Sequence, residues 1–107
     1  MKDGLILLVG SLPAADLPSL LKDSPFANAS LSHVAGHLAL SGYGTVFRGE
    51  RSGYQAMFAR CPWWDLERWP QLRTARHDYR DNYAFLEFWV TPEKDGVVRV
   101  YFAYVYG

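Results

Sequence analysis

Residues 83–107 constrain the fold more than any other stretch. Tyr83-Ala84-Phe85-Leu86-Glu87-Phe88-Trp89-Val90-Thr91 and Val97-Val98-Arg99-Val100-Tyr101-Phe102-Ala103-Tyr104-Val105-Tyr106 are both rich in β-branched and aromatic residues, and Pro92-Glu93-Lys94-Asp95-Gly96 separates them. Two such runs about a short loop ending in Asp-Gly specify a β-hairpin. Apolar residues occupy both parities of each run, so the hairpin is apolar on both sides. One side must pack on the core; the other needs a helix, another subunit or a partner.

If Thr91 faces Val97, cross-strand pairs follow by counting outward. One face then carries Val90/Val98, Phe88/Val100, Leu86/Phe102 and Ala84/Tyr104, and the other carries Trp89/Arg99, Glu87/Tyr101, Phe85/Ala103 and Tyr83/Val105. The first reads as the core face. The second reads as an amphipathic outer face, with Trp89 under the Arg99 guanidinium, a contact of about 0.5–1 kcal/mol if exposed. A glycine bulge at Gly96 would move the register by one.

Upstream, Leu5-Ile6-Leu7-Leu8-Val9 between Gly4 and Gly10 reads as a short buried strand. Pro13 and Pro18 forbid a long helix over 11–23, leaving one short turn capped by Asp16, with Leu17, Leu20 and Leu21 inward. Ser24-Pro25 suits a helix start, and Ala27, Leu31, Val34 and Leu38 follow at helical spacing, predicting a helix to about Leu40. Gly36 weakens that helix by about 1 kcal/mol, so residues 31–42 stay open between helix and strand. Thr45-Val46-Phe47 and Tyr54 to Ala59 read as two strands joined by the polar turn Arg48 to Gly53. Asp65 is placed to cap a short turn through Trp69, and Pro70 to open a helical stretch carrying Leu72, Ala75 and Tyr79.

The order strand, helix, hairpin, short helices, hairpin predicts an α+β fold: an antiparallel sheet of about four or five strands with helices packed on one face. The 107 residues suit one domain, 1–107. Half of them are apolar, enough for a folded core.

Formal net charge is zero, which argues against nucleic acid as the partner. Seven of the eight arginines lie between positions 48 and 80, against Glu50, Asp65, Glu67 and Asp78, a local excess of three. Cys61 is the only cysteine, so no internal disulfide forms, and a cytoplasmic protein is the simplest reading. The run Leu5–Val9 is too short to span a bilayer and follows Asp3, so neither a membrane segment nor a secretory leader is expected.

Three groups of residues invite a functional reading. Trp63-Trp64-Asp65-Leu66-Glu67-Arg68-Trp69-Pro70 crowds three indoles into a proline-bounded, charged stretch. Tryptophan, tyrosine and arginine dominate interface hot spots. Trp63, Trp64, Arg68 and Trp69, with Phe85, Trp89, Arg99 and Tyr101 from the hairpin's outer face, are therefore the candidate partner-binding residues. The competing reading plugs the core with Trp63 or Trp69 and lays Trp64 on the surface.

The second group is His33 and His37, four apart and on one face if helical, with His77 as a possible third zinc ligand. The metalloprotease pattern needs glutamate after the first histidine, where this chain has Val34. The third is His77 as general acid or base with Glu87 as complement and Arg73, Arg76 or Arg80 as phosphate clamp, the arrangement of a small RNA-cleaving enzyme. A solvated run with Arg76 and Arg80 paired to Asp78 and Asp81 explains the same residues.

Cys61, beside Pro62 and with no histidine near in sequence, reads as a loop thiol. No cofactor fingerprint or phosphate loop is present, and no cofactor is expected. The lead expectation is a small non-enzymatic protein-interaction module, of the inhibitor, immunity or regulatory kind. It would bind a protein partner or itself, with a homodimer as the plainest case. The runner-up is the RNA-cleaving or metal-dependent hydrolase.

Overall fold

The computed structural model of the chain describes residues 4–40, 60–79 and 84–106. Among the described residues, five strands form one antiparallel sheet: β1 (Gly4–Pro13), β2 (Ser32–Val34), β3 (Leu72–Asp78), β4 (Phe85–Val90) and β5 (Val97–Tyr106). Their spatial order is β1-β5-β4-β3-β2. Among the described residues the only α-helix is α1 (Leu17–Leu21). The strands expected at 45–47 and 54–59, the turn between them, Arg80, Asp81 and Tyr83 lie outside the described residues.

β4 and β5 form the expected hairpin with a different register. Val90 stands opposite Val100 and Trp89 opposite Tyr101, not Val98 and Arg99. The cause is in the connection. Asp95 and Gly96 have φ of 54° and 76°, the paired left-handed conformations of a two-residue type I′ turn. Lys94 and Val97 close that turn by exchanging main-chain hydrogen bonds of 2.9 and 3.0 Å. Further along, the Thr91 N–H donates to the Arg99 carbonyl (3.0 Å) and the Arg99 N–H donates to Thr91 Oγ1 (2.9 Å). Pro92 and Glu93 therefore stand opposite Val98 alone, a β-bulge at a proline with no N–H to offer a ladder. The register moves by two residues, an even number, so every side chain keeps its expected face.

Both faces of the sheet are covered over the central strands. One face buries Phe88, Val90, Val98 and Val100 against Leu17 of α1 and Phe26, with Leu12, Leu21, Leu31, Ala75, Leu86 and Phe102 packed at the margin. The opposite face buries Phe85, Trp89, Tyr101, Ala103 and Val105 under Ala39, Trp64 and Leu66, with Leu5, Leu7, Val9, Val34, Cys61 and Trp69 around them. This corrects the outer-face expectation. Phe85, Trp89 and Tyr101 are interior residues, Trp89 and Tyr101 fully enclosed. Irregular segments, not long helices, supply the cover.

The predicted helix from Ser24 to Leu40 does not form. Ser24 instead folds the chain back at the end of α1. Its Oγ donates to the Leu21 carbonyl (2.8 Å) and accepts from the Phe26 N–H (3.1 Å), the local side-chain bonding by which serine competes with helix. β2 follows and pairs with β3, His33 opposite Arg73, and then a single 3-10 turn, Gly36–Leu38. Gly36 is buried where a Cβ would collide with the Trp69 carbonyl, so close approach of backbone explains its presence.

The stretch after Pro70 is likewise strand β3, not helix. Thr74 Oγ1 donates to the Phe88 carbonyl of β4 (2.8 Å), and sheet pairing overrides the helix-like spacing of Leu72, Ala75 and Tyr79. Between Asp16 and Lys22 the short expected turn is present as α1, but the Asp16 side chain makes no capping hydrogen bond to it. Pro18 lies in its first turn, Leu17 is buried, and Leu20 is exposed, not inward.

Trp89→Ala removes a fully enclosed indole from the centre of one core layer. Chemical denaturation should show a loss of about 3–5 kcal/mol; a loss under about 1 kcal/mol would mean that the indole is not enclosed.

Candidate functional site

The residues singled out around Trp63–Trp69 do come together, as a packed and hydrogen-bonded cluster on the Trp89 face. A 3-10 turn, Leu66–Arg68, drops Leu66 into the core at full burial and Trp64 to 8% exposure. The Trp64 ring meets Tyr101, Trp89 and Trp63 edge to face, with centroids 5.2, 6.1 and 6.2 Å apart, separations at which such pairs add to plain burial. Trp63 is the exposed member at 46%, and Arg68 is exposed as well.

The Tyr101 hydroxyl ties the segment to the sheet. It accepts from Trp69 Nε1 (2.9 Å) and from Arg99 Nε (2.9 Å), and it donates to Asp65 Oδ1. Arg99 Nε lies 3.7 Å from the same carboxylate oxygen. Asp65 thus serves the network, and its side chain makes no cap on the turn that it precedes. Burial pushes the Tyr101 pKa up, and the hydrogen bond to Asp65 pushes the same way; donation from Trp69 and Arg99 pulls it back in part. The Arg99 guanidinium lies over the ring of Tyr101, its strand neighbour two positions on, 5.5 Å from the centroid.

The alternative catalytic set is not assembled. In β3, Arg76 lies opposite Glu87 while His77 lies opposite Leu86, so strand alternation puts His77 on one face and both Arg76 and Glu87 on the other. Arg76 binds Asp78 through Nη2 at 2.9 Å and covers the Phe85 ring at 3.8 Å. The histidines are separated too. His33 sits in β2 opposite Arg73, about 13 Å of strand away from His77. His37 belongs to the 3-10 turn that covers the other face. Among the described residues no three of His, Cys, Asp and Glu are grouped to hold a metal ion. His33 borders a shallow hollow of about 210 Å³ with Gln71, Leu72, Arg73, Val90 and Pro92, which contains no second titrating group able to share acid–base work. Cys61 is a free, half-buried thiol packed at the edge of the Trp89 core.

A second surface escaped the sequence reading. On the Phe88 face the cover supplied by the described residues stops short, and four rings cross the sheet in a row. His77 meets Tyr79 edge to face (4.7 Å), Tyr79 meets Tyr104 edge to face (6.0 Å), and Tyr104 stacks on Tyr106 (5.6 Å). Beside them on β1 stand Ile6, opposite Tyr104, and Leu8, opposite Phe102. Ile6 is 49% exposed and Leu8 62%, with Tyr79 and Tyr106 also exposed. The signal was available in the even-numbered positions of 98–106, which turn from valine to phenylalanine to tyrosine toward the C-terminal end. Rings with a polar tip suit a surface that is apolar yet wet.

No family model, no curated protein and no solved structure matches this chain. Among the described residues no helix is long and apolar enough to cross a membrane.

Replacing Tyr101 with phenylalanine leaves Asp65, Trp69 and Arg99 without their shared partner and should cost about 1–2 kcal/mol at neutral pH. Because its pKa is raised, the folded protein holds this proton more tightly than the unfolded chain. The associated stability is full below the ordinary tyrosine pKa of about 10 and drains as pH rises through the raised value. The stability gap between wild type and Tyr101→Phe should therefore narrow above about pH 10. A gap that stays constant through that range would contradict the network.

Proposed function

We propose that this protein is a non-enzymatic interaction module that binds another protein or itself through the open end of its Phe88 face. The observation that carries this reading is the grouping of Ile6, Leu8, Tyr79 and Tyr106, all exposed, around the half-buried rings of His77 and Tyr104. Scattered exposed apolar residues are ordinary; a contiguous apolar and aromatic patch on a small protein is a mark of an interaction surface. Trp63 and Arg68, both exposed on the segment that covers the opposite face, are secondary contact residues in this reading. The other aromatic candidates, Trp64, Trp69, Phe85, Trp89 and Tyr101, belong to the core on the opposite face and are not contact residues in this reading.

The separation of His77 from Glu87 and Arg76, and of His33 from His37, supports a binding role over hydrolysis. A regulatory, inhibitory or immunity protein of the cytoplasm fits this reading, the location resting on the single cysteine.

Site-specific photo-crosslinking in the native cells tests the proposal. A benzophenone side chain in place of Tyr106 should give a discrete covalent adduct, to a second copy or to another protein. The same group in place of the exposed Leu20 on α1 should give none. Equal labelling from both positions, or none from position 106, would overturn it.

A further inference from the structure

We infer that the protein forms a two-fold symmetric dimer in which β1 pairs antiparallel with β1 of a second copy, joining two five-stranded sheets into one of ten strands. The inference rests on the interaction-module reading and names the partner of that same surface.

Three features of β1 carry it. The first is the direction of its main-chain groups. The Ala14 N–H donates to the Gly96 carbonyl (2.8 Å) in line with the β1–β5 ladder, where Pro13 stands opposite Val97. Hydrogen bonding alternates along an antiparallel strand. Even-numbered residues of β1 thus direct their N–H and C=O groups at β5, and Leu5, Leu7, Val9 and Ser11 direct theirs away from the sheet. Among the described residues no strand receives them, since β1 ends the strand order.

The second feature is that β1 itself carries no guard on this edge, and among the described residues no segment covers it. Exposed edge strands are ordinarily blunted by charge, by brevity or by a bulge. Gly4–Pro13 is ten residues long, pairs without interruption and carries no charged side chain. Pro13, whose missing N–H would also point outward, closes the edge only at its far end.

The third is self-complementarity. Gly4-Leu5-Ile6-Leu7-Leu8-Val9-Gly10 reads nearly the same in both directions about Leu7. A two-fold axis at Leu7 pairs Leu7 with its own copy, Leu5 with Val9 of the partner, Ile6 with Leu8 of the partner, and Gly4 with Gly10 of the partner. Every outward-directed group from Leu5 to Val9 then finds a mate, about six main-chain hydrogen bonds in all. A centre at Leu8 would set Leu5 against Ser11 and Ile6 against Gly10, wasting the apolar match. A two-fold axis perpendicular to the sheet keeps the same face of each copy on the same side. Ile6 and Leu8 from both copies therefore fuse into one apolar stripe flanked by the two tyrosine rows. Such a contact is isologous, as closed dimers require.

Light scattering of the purified protein coupled to size exclusion should give twice the 12.2 kDa of one chain. Leu8→Lys and Ile6→Lys, each at an exposed side chain, should raise the dimer dissociation constant at least about tenfold with unchanged circular dichroism; Leu20→Lys should not. Amide exchange at Leu5, Leu7 and Val9 should slow as protein concentration rises. A wild-type monomer at about 100 μM, a dimer indifferent to both lysines, or a dimer in which those three amides stay fast, would each overturn the inference. Unfolding of both lysine variants would do the same, because it would place Ile6 and Leu8 inside the fold. A monomer that still crosslinks from position 106 to a different protein sinks the dimer alone and leaves the interaction module standing.

Discussion

β4 and β5 are apolar on both faces, and the rest of the structure follows from the need to cover them twice. Phe88, Val90, Val98 and Val100 face one way; Phe85, Trp89, Tyr101 and Ala103 face the other. A two-layer protein with water on one side of its sheet cannot accommodate such strands. The chain therefore lays α1 and the Phe26–Leu31 stretch on one side, and the segments around Gly36–Leu40 and Cys61–Trp69 on the other. Long helices are unnecessary, since single large side chains such as Phe26, Trp64 and Leu66 cover the area that a helix face would.

Irregular cover needs anchoring, because loops contribute few main-chain hydrogen bonds of their own. The Tyr101 hydroxyl supplies an anchor on the Trp89 face, holding Asp65 and Trp69 of the covering segment against Arg99 of β5. The bond pattern explains why a tyrosine, and not another apolar residue, stands at position 101 in the middle of β5. On the Phe88 face the cover reaches Phe26 and Leu17 but not Ile6, Leu8 or Tyr106. Among the described residues, the unequal reach of the two covers leaves an apolar surface beside a strand edge that no described strand pairs, and the functional reading grows from that coincidence.

Much of this was legible in the residues. The hairpin, the Asp95-Gly96 turn, the split of its side chains into two faces, and the buried character of Leu5–Val9 all follow from alternation and turn chemistry. The register did not, because it depends on Pro92 being excluded from the ladder, a choice between a five-residue loop and a tight turn with a bulge. The segment from Ser24 to Leu40 was misread for a different reason. Its helical spacing is genuine, but Gly36 is reserved for contact with the Trp69 backbone and Val34 for a place beside Leu72. Neither requirement is local. Similarly, β3 shows its strand character only when β2 and β4 flank it. Of the candidate sites, the tryptophan cluster was found as a set, while its burial was missed, since indoles suited to an interface are equally suited to a core. The exposed tyrosine row is harder to read because the change from valine to tyrosine along β5 is gradual and its exposure depends on how far the cover on the Phe88 face reaches.

The central claim is that the chain itself encloses both faces of its middle strands. The four tryptophans report on it directly, through the broadening of their indole N–H signals by a soluble gadolinium chelate. The account expects Trp63 to broaden strongly, Trp69 in part, and Trp64 and Trp89 hardly at all. Trp89 broadened as much as Trp63 would contradict it, placing that face of the hairpin in water.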